Sequence, residues 1–213
     1  MHIPDGFIGG EVSAAAGVAA VAGLSVAVRK TGAELDDRRV PLTGLVAAFV
    51  FAAQMMTFPV AAGTSGHLIG GVLAAVLVGP WAGAICLAVV VVVQALFADG
   101  GLTALGLNLV NLSLVATLGG YALFRLLAAL LPPTRSGFVL ATGIAAGGSV
   151  VLTSLAFVVE YSLGGIGSAD VTSVLAAMTG VHTMIGIGEG IVTAGAVSAV
   201  LAARPDLVAP AAA

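Results

Sequence analysis

Long apolar stretches, interrupted only by glycine, proline and short polar turns, run through nearly all of this chain and leave few folds open to it. Of its 213 residues 60% are hydrophobic and 8% charged, far from the composition of a soluble domain. A bilayer core of about 30 Å takes roughly 20 apolar residues per helix, and most of the chain divides into segments of that size. The expected class is all-α, a polytopic membrane helical bundle, with residues 1–213 forming a single membrane-embedded domain. A formal net charge of −3 and scattered basic residues offer nucleic acid no stripe to bind, so the expected surroundings are a lipid bilayer and no nucleic acid. The single Cys86 lies in an apolar run and has no intrachain disulfide partner.

Ile8 to Val28 is the first expected helix, followed by a charged loop, Arg29 to Arg39. Pro41 opens a second helix, which runs to Phe58 and is closed by Pro59. Leu68 to Phe97 is too long for one simple span, and Gly79-Pro80 cuts it into a short third helix and a full fourth. After the Asp99-Gly100-Gly101 turn, Leu102 to Leu131 makes the fifth, ended by Pro132-Pro133. Gly137 to Tyr161 makes the sixth. A connector, Ser162 to Asp170, and a short helix near Ser173 to Met178 lead to the seventh, His182 to Ala203. Basic residues accumulate in cytoplasmic loops. Seven spans with the N-terminus outside put Arg29, Lys30, Arg38, Arg39, Arg135 and Arg204 on the cytoplasmic side, along with the C-terminus, and Arg125 snorkels toward it. Six spans, the alternative if the third and fourth helices are miscut, strand Arg204 outside.

That topology gathers Glu11, Gln54, Gln94, Asn108, Asn111, His67 and His182 in the outer half, with Glu189 about two turns below His182. Polar side chains are costly in lipid, and singly each Asn or Gln reads as a hydrogen bonder between helices. Their common depth points further, to a polar site near the outer face.

The start, Met1-His2-Ile3-Pro4-Asp5-Gly6-Phe7, lacks a basic n-region and an Ala-x-Ala pattern, so it reads as a mature terminus with a free amine on Met1. That amine, the His2 backbone nitrogen and His2 Nδ1 can close two fused chelate rings around one cation. The amide must lose its proton, which a d8 ion in a square-planar nitrogen field favours and Mg²⁺ or Ca²⁺ does not. Nickel suits this arrangement, and cobalt stays open. A fourth nitrogen comes from His67 or His182, of which His67, in Gly63-Thr64-Ser65-Gly66-His67-Leu68, is better placed; His182 then donates a hydrogen bond to a ligand or receives the ion next. Glu189, between Gly186 and Gly190, is either a packing feature or a stop on the ion path, and Asn108 and Asn111 belong to the same outer belt.

Met-His-Ile-Pro-Asp-Gly at the start, Ser65-Gly66-His67, and Val181-His182-Thr183 followed by Gly186-Ile-Gly188-Glu189-Gly190 resemble the motifs of the CbiM/NikM substrate-capture subunits of energy-coupling-factor transporters for cobalt and nickel. The resemblance covers nearly the whole chain. It implies a seven-helix cell-membrane subunit, part of an ABC-type importer and not an enzyme, whose N-terminus inserts into the bundle. It also implies a metal held by Met1, His2 and His67, with Ni²⁺ or Co²⁺ as cargo and no cofactor. The implied partners are a transmembrane coupling subunit, cytoplasmic ATPases and a small additional membrane subunit. Lys30-Thr31, preceded by Arg29, lacks the core of a P-loop, in keeping with ATP hydrolysis elsewhere. Small residues from Ala14 to Ala20 permit close packing on a partner or on a neighbouring helix. Two other readings are an organic-vitamin capture subunit, for which 5% aromatic residues supply few stacking groups, and an intramembrane metalloenzyme, for which no His-Glu-x-x-His pair exists.

Overall fold

The structure, a computed structural model, describes residues 2–34, 40–59 and 65–208. Among these are seven helices, α1 (Gly10–Glu34), α2 (Val40–Gln54), α3 (Gly71–Val78), α4 (Pro80–Leu96), α5 (Leu105–Leu130), α6 (Arg135–Gly164) and α7 (Val171–Ala203). Two short antiparallel strands, β1 (Thr57–Pro59) and β2 (Ser65–His67), lie between α2 and α3, with Thr57 opposite His67. The helices α1, α5, α6 and α7 are long and apolar enough to cross a bilayer, and α2 and α4 are shorter apolar helices. Exposed side chains such as Val18, Leu45, Leu126, Leu130 and Ile191 are those expected to face lipid. This is a multi-pass membrane bundle.

The third helix differs most from a simple span. Its eight residues are all buried, and they cover only about 12 Å of depth. The segment expected as a helix from Leu68 is instead a link from Leu68 to Gly70, continuing out of β2, and then α3. The chain then turns at Gly79, and Pro80 opens α4 at a position where its missing N–H costs nothing. The break at Gly79-Pro80 thus falls where expected, while the third helix begins at Gly71 rather than Leu68. The second ends at Gln54 rather than Phe58, because Thr57 to Pro59 pair with β2.

Other boundaries shift for identifiable reasons. The first helix continues to Glu34, so Arg29 to Glu34 of the expected loop are helical, while residues 35–39 lie outside the described residues. The fifth starts at Leu105 and runs as a π-helix from Leu109 to Gly119. The sixth is longer at both ends; Thr134 caps its start by accepting the Gly137 N–H. The short helix near Ser173 and the seventh are one 33-residue helix. Asp170 caps it through the Ser173 N–H, and Gly180 is carried inside it because interrupting a helix in lipid exposes backbone groups.

Main-chain hydrogen bonds show which segments share an end of the bundle. Gly101 N–H donates to the Ile3 carbonyl (2.9 Å), Gly9 N–H to Gly164 (2.7 Å) and Ile166 N–H to Phe7 (3.1 Å). The chain start therefore meets the α4–α5 and α6–α7 loops. The described basic residues, Arg29, Lys30, Arg125, Arg135 and Arg204, belong to the opposite half, where the Arg135 guanidinium donates to the Ser198 carbonyl. Arg38 and Arg39 lie outside the described residues.

Candidate metal centre

The chain start is built into the bundle by side chains that substitute for missing secondary structure. Asn108, early in α5, accepts the Ile3 N–H (2.7 Å) and donates to the Ile3 carbonyl (3.1 Å). Asp5 accepts from the Thr103 N–H and hydroxyl. Ile3 is 1% exposed, and Phe7 stacks on Phe157 beside Tyr161. The α4–α5 loop must come very close here: a Cβ on Gly101 would overlap Asp5, so the glycine pair that reads as a turn signal is also a fitting surface for the terminus.

This brings His2 against His67. His2 Nδ1 stands 3.1 Å from His67 Nε2, and the rings stack with centroids 4.7 Å apart. Each ring is held from its other side. His67 Nδ1 lies 2.7 Å from the Leu68 carbonyl, an acceptor only, so the proton is on Nδ1 and the Nε2 lone pair faces His2. His2 Nε2 lies 3.0 Å from Gln94 Oε1 and donates to it, which leaves the Nδ1 lone pair facing His67. Burial lowers the His67 pKa well below its ordinary value and holds that of His2 down to about 3, so both rings are neutral. Asp99, whose pKa burial raises, brings Oδ1 to 3.4 Å from the same His2 Nδ1. Two imidazole lone pairs and a carboxylate thus converge in a site of low dielectric, an arrangement that a cation relieves. Two nitrogens bound at right angles to one cation, at the roughly 2.0–2.1 Å usual for zinc, stand about 2.9 Å apart. The His2–His67 separation is close to that. Among the described residues no three His, Cys, Asp or Glu side chains group tightly enough to hold an ion by themselves.

The remaining expected residues separate. Met1 lies outside the described residues. His182 is fully buried in α7; its Nδ1 donates to the Met178 carbonyl (2.7 Å), and its Nε2 has no hydrogen-bond partner among the described residues. With the proton on Nδ1, Nε2 can accept but not donate, which removes the expected donation to a metal ligand. Glu189 caps the start of α3, with its oxygens on the N–H groups of Ile69 and Gly70. Asn111 points away from the chain start and donates to Glu160 of α6 (2.7 Å). Glu11 is exposed on α1 and takes no part. Gln94 was visible only as one member of the polar belt, and Asp99 only as part of a turn; what gives both their place is contact with His2.

The family model described as CbiM, the cobalt uptake substrate-specific transmembrane region, matches residues 2–207. A candidate metal transport protein of Haloquadratum walsbyi is 41% identical over 98% of this chain and 93% of its own length. The fused nickel transport protein NikMN of Rhodobacter capsulatus is 33% identical over 99% of this chain, which spans 64% of that longer protein. A crystal structure of a transition metal transporter superposes with a TM-score of 0.88 at 31% identity, covering 95% of this chain and 93% of the other. With its terminus folded against His67 and these likenesses running almost end to end, the chain belongs to the CbiM family.

Proposed function

We propose that this protein is the substrate-binding membrane subunit of an energy-coupling-factor importer of the ABC type, capturing Ni²⁺ or Co²⁺ on the outer face. The Met1 amine, the deprotonated His2 backbone nitrogen, His2 Nδ1 and His67 Nε2 form a square-planar set, and residues 1–7 act as the chelating segment of a single membrane domain. The observation that carries this reading is the pair of buried imidazole nitrogens, His2 Nδ1 and His67 Nε2, standing 3.1 Å apart with each ring held by a partner on its far side. A nitrogen-rich, water-poor site selects a borderline transition metal over Mg²⁺ or Ca²⁺, which take oxygen ligands.

The orientation follows from the basic residues gathered at the end opposite this site, since such residues stay cytoplasmic. Metal is then taken from outside and released inward when a coupling subunit and its ATPases reorient the bundle. The fused form of the Rhodobacter relative supports a further membrane subunit as partner.

The test is direct. Purified protein with a free Met1 amine is compared with protein acetylated there, or extended by one residue before Met1, by elemental analysis and visible absorption with Ni²⁺. Blocking the amine is expected to weaken binding by about 100-fold or more, beyond the loss typical of an indirect partner, with helical content retained. Unchanged binding and an unchanged chromophore would rule out the terminal chelate.

A further inference from the structure

Glu189 is the one carboxylate on α7, 2% exposed, and both its oxygens are committed to main chain. Oε2 accepts the Ile69 N–H (2.5 Å) and Oε1 the Gly70 N–H (2.6 Å). Gln54, the last residue of α2, donates Nε2 to the Ile69 carbonyl (2.7 Å). The link between β2 and α3 has neither strand nor helix partners at these positions, and in a bilayer no water replaces them. Two side chains from two other helices therefore supply what regular structure would. The carboxylate also meets the unpaired amides at the positive end of α3.

What this grip holds is the segment that carries His67. Ile69 is two residues from His67, and the Leu68 carbonyl between them is the group that fixes the His67 tautomer. At no more than about 3.6 Å of chain per residue, so short a connection cannot absorb a displaced anchor without moving the imidazole. Glu189 in turn is located by α6: the flanking Gly186 and Gly190 lie on the backbone of Gly147 and Gly143, where a Cβ would come 2.6 Å and 2.7 Å from carbonyl oxygens.

We infer that Glu189 is a positioning residue for cation capture: by holding Ile69 and Gly70 it sets where the His67 imidazole stands relative to His2, so that α7, not α3 alone, determines the geometry of the ligand pair. This rests on the reading of His67 as a ligand. It assigns Glu189 no contact with the ion, since the carboxylate is spent on two amides.

The experiment uses the full-length protein in detergent, with Ni²⁺ as probe, and reads affinity together with the visible ligand-field band. In Glu189→Gln the carbonyl oxygen keeps one amide, while the NH₂ group is set against the other N–H. The expected result is a 10- to 100-fold loss of affinity and a band displaced toward that of His67→Ala. The double variant should bind no more weakly than His67→Ala alone. A purely structural role predicts the opposite: a lower melting temperature, an unshifted band, and losses that add. Glu189→Asp, which keeps both acceptors on a shorter arm, should recover part of the band. Should Glu189→Gln fail to fold, Gln54→Ala carries the test, with a smaller shift in the same direction. A band that moves in His67→Ala but in none of the Glu189 or Gln54 variants overturns this inference alone. A band unmoved in His67→Ala overturns the ligand reading and this inference with it.

Discussion

The cluster around His2 and the seam between α6 and α7 are both closely packed, yet they hold by opposite means. The cluster joins segments without regular structure, residues 2–9, 97–104 and the 68–70 link that follows β2, whose main-chain groups need partners from side chains such as Asn108, Asp5, Gln54 and Glu189. The seam joins two helices whose backbones are already paired and which meet glycine to glycine, Gly147 on Gly186 and Gly143 on Gly190. The cluster therefore fails when a polar partner is removed, and the seam fails when an atom is added. One depends on directional bonds in a medium without water; the other depends on shape.

The largest effect expected from this contrast is at the seam. Gly147→Leu puts a side chain where a Cβ alone already stands 2.6 Å from the Gly186 carbonyl oxygen, which is main chain and has no rotamer to yield. Overpacking of this kind costs about 3 kcal/mol or more, read as a lower thermal midpoint in detergent. Because Glu189 rides on α7 with Gly186, Ni²⁺ affinity should fall with it. A variant that melts like the parent would show that the two helices separate without cost and that the seam is not a rigid support.

Asn108 tests the other mode. Replacement by Ala removes two buried hydrogen bonds to Ile3 and leaves the Ile3 N–H without its side-chain partner, which weakens the docking of the chain start, not the bundle, by roughly 1–3 kcal/mol. The helices do not depend on those bonds, so helical content should persist while Ni²⁺ affinity falls about 10- to 100-fold. The seam variant should lose stability first and binding through it, whereas the Asn108 variant should lose binding with little change in the melt. If both lose both in proportion, the distinction between the two regions does not hold.

Which parts were legible in the sequence follows from the same distinction. Helices that face lipid announce themselves by composition, and the break at Gly79-Pro80 was readable because proline cannot donate into a continuing helix. The end of α2 was not: Met55 to Phe58 is as apolar as a helix interior, and only pairing with β2 makes Thr57 to Pro59 a strand. The sequence expects a short helix near Ser173 to Met178 apart from the one starting at His182, but in lipid the backbone groups around Gly180 stay paired within one continuous helix. Asn108 and Asn111 looked equivalent, three apart on one helix, but the π-helical stretch beginning at Leu109 turns Asn111 toward Glu160. The capping role of Glu189 could not be read at all, since its partners are N–H groups of Ile69 and Gly70 that carry no side-chain signal. His2 and His67 were legible through the motifs, as was the polar belt through its depth, whereas the contacts that orient the two rings, with Gln94 and the Leu68 carbonyl, carry no signal in the sequence.

The smallest effect is one of pH, and it too should separate the regions. Burial holds the His2 pKa down to about 3 in the folded protein against an ordinary 6.5, and it lowers that of His67 as well. Below about pH 6.5 the unfolded chain therefore binds protons that the folded one refuses, so stability rises with pH up to that value and levels off above it. Asp99 works against this trend, because its raised pKa lets the folded state hold a proton that the unfolded state has released just above pH 3.8. Within this cluster two histidines act against one carboxylate, and with a window extending to 6.5 the cluster's own contribution to stability falls as pH drops from 6.5 to 5. A melt at pH 7.5 should therefore exceed one at pH 5 in metal-free protein. The gap should narrow in His2→Gln, which cannot titrate, and persist in Gly147→Ala, whose defect lies in the seam and carries no charge. A gap unchanged in His2→Gln would mean that the pH response arises elsewhere, and that the buried imidazoles do not set the acid limit of the fold.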